Sequence, residues 1–171
     1  MRILVSMLVV LSLATGAHAS DFKPVKTLKN AKLQALSEAM DKFEGRFVRS
    51  GAYTVTRKTD LNGRTEKERR KAILKETLHR YSGASLDEGI DIRTAASAAE
   101  AVSTVNDAGQ DDSQPWKPFE KAMGPAFADK SLEIYAGTGS GNNTMASMVC
   151  VYDKTNDQVV YIIFSNFGSD D

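Results

Sequence analysis

The chain has little of what most catalytic or metal chemistry needs. Among its 171 residues there is one cysteine, Cys150, one tryptophan, Trp116, and two histidines, His18 and His79. A lone cysteine excludes an intramolecular disulfide, so a folded state must rest on its core. One His and one Cys in the mature part cannot supply a structural zinc site. They could form a thiolate–base pair only if brought together, and Cys150 sits inside an apolar run, where cysteine behaves as a small hydrophobe. No recognised nucleic-acid motif is present, and no cofactor is implied. Past the first twenty residues no apolar run is long enough to span a membrane as a helix.

What is present begins with a leader. Arg2 precedes an apolar run from Ile3 to Ala14, and Ala17-His18-Ala19 has small-x-small spacing. This is the pattern of a signal peptide, residues 1–19, cleaved before Ser20. Residues 20–171 then read as a single exported domain, periplasmic or secreted, of a size that can bury a core. The net charge of the whole chain is +0, but the charge is divided. Asp21 to Arg80 holds 16 Lys and Arg against 8 Asp and Glu, a net of +8. Tyr81 to Asp171 holds 5 against 14, a net of −9. Either the halves neutralise each other within one fold or across a homodimer, or a basic face meets an anionic surface or an acidic protein.

The two most apolar short runs are Met148 to Tyr152 and Val159 to Phe164, joined by Asp153-Lys154-Thr155-Asn156-Asp157. Both are β-branched and aromatic, which predicts a hairpin. Both alternating sets are apolar, so both faces need cover. Ser131 to Ala136 adds a strand before them, and Gly137 to Thr144 reads as a glycine-rich connection. Tyr53 to Thr56 supplies a fourth strand. Upstream, Leu33, Leu36, Met40, Phe43 and Phe47 mark an amphipathic helix within about Leu28 to Phe47. Thr65 and Glu68 have capping-box spacing and open a charged helix to Tyr81, which Gly83 stops. Thr94 to Val105 is an alanine-rich helix. A short helix from Pro118 is expected to end at Gly124-Pro125. Asp21 to Thr27 and Ser85 to Ile92 read as connections. The expected class is α+β: a C-terminal antiparallel meander of three or four strands, packed by three or more helices from the N-terminal two-thirds. A helix and curved sheet forming a cone, of the cystatin or nuclear-transport-factor kind, is the alternative.

Candidate binding residues follow from the loops and the charged helix. Trp116, Asp111 and Asp112 lie in the most loop-like segment, residues 106–118, which could act as a lid. Asn142 and Asn143 follow the glycines, but neither a Walker pattern nor a dinucleotide fingerprint is completed there. Arg69 and Arg70 are the clustered guanidiniums of the charged helix. No metal ligands or catalytic residues are assigned. The clusters Asp107, Asp111, Asp112 and Asp153, Asn156, Asp157 lack the spacing of a calcium loop. The expectation is an exported, non-enzymatic binding or interaction protein. A small hydrolase with its site under the 106–118 loop, and a pocket protein for an apolar ligand, are the alternatives.

Overall fold

Two neighbouring strands that are apolar on both faces need cover above and below, and the architecture meets that need. A computed structural model describes residues 22–43, 48–56, 65–83, 86, 88–106, 116–141 and 144–167. In chain order the elements are β1 (Phe22–Pro24), α1 (Ala31–Met40), β2 (Val48–Val55), α2 (Glu66–Tyr81), β3 (Glu88–Thr94), α3 (Ala98–Asn106), α4 (Trp116–Phe127), β4 (Leu132–Gly141), β5 (Thr144–Asp153) and β6 (Gln158–Phe167). The six described strands form one antiparallel sheet in the order β1-β2-β6-β5-β4-β3. The chain is therefore α+β.

The hairpin lies at the centre of the sheet. Met148, Cys150, Tyr152, Val159, Tyr161 and Ile163 are buried on one face, under Ile73, Leu74 and Leu78 of α2. Val149, Val151, Val160, Ile162 and Phe164 are buried on the other, under α1, α3 and α4. Leu33, Leu36 and Met40 are the inward residues of α1, and the alanine-rich α3 turns Ala101 and Val102 inward. One helix on one side and three on the other exclude water from both faces. The expectation of double cover is met by the chain's own helices.

Local signals explain the helix starts. Asn30 caps α1, its Oδ1 accepting the N–H groups of Lys32 at 2.9 Å and Leu33 at 3.2 Å. Thr65 and Glu68 form the expected capping box of α2, with Glu68 N–H to Thr65 Oγ1 at 3.2 Å and Thr65 N–H to Glu68 Oε2 at 2.7 Å. At its other end α2 stops where Gly83 takes φ +72°. The Ser165 hydroxyl donates to the Ser82 carbonyl at 2.7 Å, which ties the helix end to β6.

Several expectations are corrected. The sheet has six strands, not three or four. Phe22–Pro24 is a strand and not a lead-in; Pro24 sits on an edge, where a missing N–H is tolerated. Ser85 to Ile92 is not merely a connection, because Glu88–Thr94 pairs with β4 across an irregular register between Glu88 and Asp91. The glycine-rich stretch is not a connection up to Gly141: β4 continues through it, and Gly141 pairs with Thr144. Its glycines have a packing reason. A Cβ on Gly137 would run into the Asp91 carbonyl oxygen and the Ile92 side chain. The first helix is shorter than Leu28 to Phe47, and α3 begins at Ala98 because Thr94 belongs to β3. Helix α4 starts at Trp116 and runs past Gly124-Pro125 to Phe127. Pro125 lies in its last turn, so only a terminal hydrogen bond is lost, and its side is exposed.

Gly137→Ala is expected to destabilise by about 1–3 kcal/mol, because backbone must shift to admit the methyl group. Gly124→Ala, on the open side of α4 with nothing within 4 Å of its Cβ position, is expected to stabilise. That gain should be about 0.5–1 kcal/mol from helix propensity. Urea denaturation of the two variants checks this. Equal effects of the same sign would contradict the strand assignment of Gly137.

Candidate functional site

The N-terminal half of α2 crosses the sheet where β4 begins and β5 turns into β6, and there the two oppositely charged halves of the sequence meet. The turn is set by Asp153, whose carboxylate accepts from the N–H groups of Thr155 at 2.8 Å and Asn156 at 3.2 Å and from Asn156 Nδ2 at 2.8 Å. Asp157 then takes φ 51°, a left-handed conformation that Asp tolerates. Its Oδ1 accepts from the Tyr152 hydroxyl at 2.6 Å and from Arg69 Nη2 at 3.4 Å. Alongside, Arg70 Nε lies 3.0 Å from Glu133 Oε2, and the Tyr135 hydroxyl donates to the same oxygen at 2.6 Å. Lys154 Nζ is 3.7 Å from the other Glu133 oxygen. The Arg70 guanidinium also sits 5.7 Å from the centre of the Tyr152 ring.

This network fixes protonation. Burial works to raise the Glu133 carboxyl, but the Tyr135 hydroxyl, Arg70 and Lys154 outweigh it, and the net shift is downward. Burial first, then the hydrogen bond to a carboxylate, pushes the Tyr135 and Tyr152 hydroxyls above the ordinary phenol range. Burial alone drives the Cys150 thiol upward. The cluster therefore holds an ionised Glu133 carboxylate, a charged Arg70 guanidinium and neutral Tyr135 and Tyr152 phenols.

Glu133 belongs to this network and also to the wall of a cleft. The recess has a volume of about 270 Å³ and lies past the end of β3, between the start of β4 and the end of α4. Ala95, Ala126, Phe127, Leu132 and Ile134 form a floor that opens little apolar surface, since Ala126, Leu132 and Ile134 are buried, and Lys67, Thr94 and Glu133 make the rest of the lining polar. It exists because β3 ends at Thr94, opposite Tyr135, while β4 began three residues earlier at Leu132. The start of β4 thus has β5 on one side and no described strand on the other.

The predicted site residues fall into three groups. Arg69 and Arg70 are brought together at the sheet, with side chains only 12% and 13% exposed, and both are engaged with carboxylates. Trp116 is the first residue of α4. Asp111, Asp112, Asn142 and Asn143 lie outside the described residues. Lys67, Glu133 and the apolar floor were not singled out in the sequence. Their only signal there was that Lys67 and Arg70 share a helix flank, and the α4–β4 juxtaposition has no local signature. Among the described residues no three His, Cys, Asp or Glu side chains converge as a metal site would require, and no helix is long and apolar enough to cross a membrane. No protein-family profile, curated protein or solved structure matches the chain.

Below the cleft the α4–β4 turn is held by Asp129. It accepts from Ser131 Oγ at 2.7 Å, Ser131 N–H at 2.9 Å and Asn30 Nδ2 at 3.3 Å. The Ser131 and Asn30 hydrogen bonds, and Lys32 more weakly, lower its carboxyl from 3.8 to about 2. A lowered folded-state value means that ionised Asp129 stabilises the fold at neutral pH, and that this contribution fades as pH falls from about 4 through about 2. Asp129→Asn should lower the urea midpoint at pH 7 and pH 5, with the gap to the unsubstituted protein narrowing at pH 3. A gap that stays constant or widens at pH 3 would contradict the assignment. Arg70→Ala should cost about 2–3 kcal/mol, since it strips Glu133 of its guanidinium partner in a half-buried setting. Arg80→Ala, which loses an exposed helix pair with Glu76 and a stack on the Phe22 ring, should cost about 1 kcal/mol, less than Arg70→Ala.

Proposed function

We propose that the protein is an exported, non-enzymatic interaction protein that holds its partner at the cleft past the end of β3. The observation that carries this reading is the cleft itself: a small apolar floor joined to a larger polar lining on which Glu133 is held ionised and oriented by Tyr135, Arg70 and Lys154. Such a combination suits recognition. The neighbouring phenols and guanidiniums are committed to structural pairs, and the Cys150 thiol is wholly buried with a raised pKa, which favours binding over nucleophilic or acid–base chemistry. Export rests on the leader over residues 1–19.

Two competing readings have less support. A pocket for an apolar ligand against the meander competes with α2 on one face and α1, α3 and α4 on the other, where the central strand residues are fully buried. The hydrolase reading rests on Asp111 and Asp112, outside the described residues. A homodimer is not needed to cover the doubly apolar strands.

The test uses the protein purified from its own source under native mass spectrometry, beside an Ala95→Trp variant whose indole fills the recess. Ala95 is half-buried in the cleft lining and touches the core, so the variant's melting temperature is read beside its binding to show that it is folded. The expected result is a bound mass or partner on the unsubstituted protein that the variant loses. Full retention by the variant would overturn the location. Terminal peptide mapping checks export: a mature chain starting at Ser20 is expected, and an intact Met1 would contradict it.

A further inference from the structure

Helix α2 carries six Lys and Arg residues, and the structure divides them into two sets. Arg69, Arg70 and Arg80 turn to carboxylates: Asp157 and Glu66, Glu133, and Glu76 respectively. Lys67, Lys71 and Lys75 make no ion pair with a described residue. They recur every fourth residue, and His79 is the next step, so they form one row along a single flank of the helix. Lys67, Lys75 and His79 are exposed, and Lys71 is half-exposed. The helix's own acids are committed elsewhere, Glu66 and Glu76 to arginines and Glu68 to the Thr65 cap. Like charges at this spacing repel and weaken a helix. Among the described residues no carboxylate compensates them, which points to compensation from a partner.

A second observation says what shape the outside group has. Lys67, at the start of the row, is also on the wall of the cleft. There the backbone of β4 is oriented for a further strand. The Ala95 N–H donates to the Ile134 carbonyl at 2.9 Å, and the Lys154 N–H to the Ser131 carbonyl at 2.9 Å. Backbone direction alternates along a strand, so the groups of Leu132 and Ile134 face the cleft while those of Ser131 and Glu133 face β5. The Leu132 N–H is taken by the Asp129 carbonyl at 3.0 Å. Among the described residues the Leu132 carbonyl and the Ile134 N–H make no backbone hydrogen bond on the cleft side, where Ala95 reaches only the Ile134 carbonyl. An acceptor and a donor two residues apart are what an extended chain uses to join a sheet edge.

We infer that the cleft and the lysine row together take an extended acidic polypeptide. One end of it joins the open start of β4, with an apolar side chain on the Phe127–Leu132 floor. The rest lays alternate carboxylates along Lys67, Lys71 and Lys75. The spacing matches: four residues of helix advance about 6 Å, and two residues of extended chain about 6.6 Å. An anionic bilayer fits less well, because the row carries no large apolar side chain to insert. The only large apolar residue exposed among the described residues is Met145, on β5. The inference rests on the interaction reading above and names its partner class. Because Glu133 on the same wall is a carboxylate, already held by Arg70, Lys154 and the Tyr135 hydroxyl, the peptide's apolar end and not one of its carboxylates lies against it.

The probe is a fluorescent eight-residue peptide of alternating glutamate and valine, with alternating lysine and valine as its counterpart. Binding is read by anisotropy at low and high salt and by amide chemical shifts. The expected result is salt-sensitive binding of the acidic peptide alone, shifting the Ile134 amide and α2. Affinity should fall at least about tenfold in a Lys67→Gln, Lys71→Gln, Lys75→Gln variant and in Ala95→Trp. These sites are exposed or half-buried, so melting temperatures report whether each variant is folded. No binding, equal binding of the basic peptide, or shifts confined elsewhere would overturn the inference. So would lysine-dependent binding to vesicles containing about one-third anionic lipid in the absence of peptide binding. If the acidic peptide fails while a source-derived partner is still lost from Ala95→Trp, only the partner class falls. If that partner is retained by Ala95→Trp as well, the cleft reading falls with it.

Discussion

The fold depends on one requirement: β5 and β6 must be dry on both faces. A strand pair with an apolar set on each side cannot be a surface hairpin, and it cannot lie under a single helical layer. It has to be the middle of a three-layer arrangement. Once that is accepted, the connections follow. The chain must send α2 to one face and α1, α3 and α4 to the other. It must also place further strands outside the central pair, β2 and β1 on one side and β4 and β3 on the other. The cleft is a by-product of this economy, since β3 is shorter than β4 and leaves the beginning of β4 with β5 on one side and no described strand on the other.

Part of the uneven charge of the sequence is resolved inside the fold. Lys32 approaches Asp129, Arg69 approaches Asp157, and Arg70 approaches Glu133, each joining the basic first half to the acidic second half. The arginines are the cations used where the setting is half-buried, in keeping with a guanidinium's weaker hydration and planar donor set. Lysines are left at the surface, and on α2 they are left in a row. Division of labour between the two cation types separates the structural part of the charge from the part available to a partner.

What the sequence made legible was whatever is decided locally. The capping box at Thr65, the stop at Gly83, the stripe of Leu33, Leu36 and Met40, and the doubly apolar hairpin are all determined within a few residues of themselves. What it hid was decided by distant neighbours. Gly137 and Gly139 look like loop residues until β3 and Ile90 are placed against them, after which they are the residues that allow close approach. The three-residue β1 is below the length at which alternation can be seen, and β3 is interrupted by Gly89 and an irregular register. Of the candidate site, Arg69 and Arg70 could be named from their helix, but not their partners. The cleft joins α2, the β3–α3 connection, α4 and β4, so no single stretch of sequence announces it.

The central claim is that the start of β4, past the end of β3, has no described strand on its cleft side. The most direct measurement is amide hydrogen exchange of the free protein, resolved at Ile134, Tyr135 and Ala136. Tyr135 pairs with Cys150 and Ala136 with Arg93, so both amides should exchange slowly. The Ile134 amide points into the cleft and should exchange much faster than either, although its side chain is buried in the same core. Slow exchange at Ile134, matching Ala136, would mean that the edge is already closed and would contradict the account.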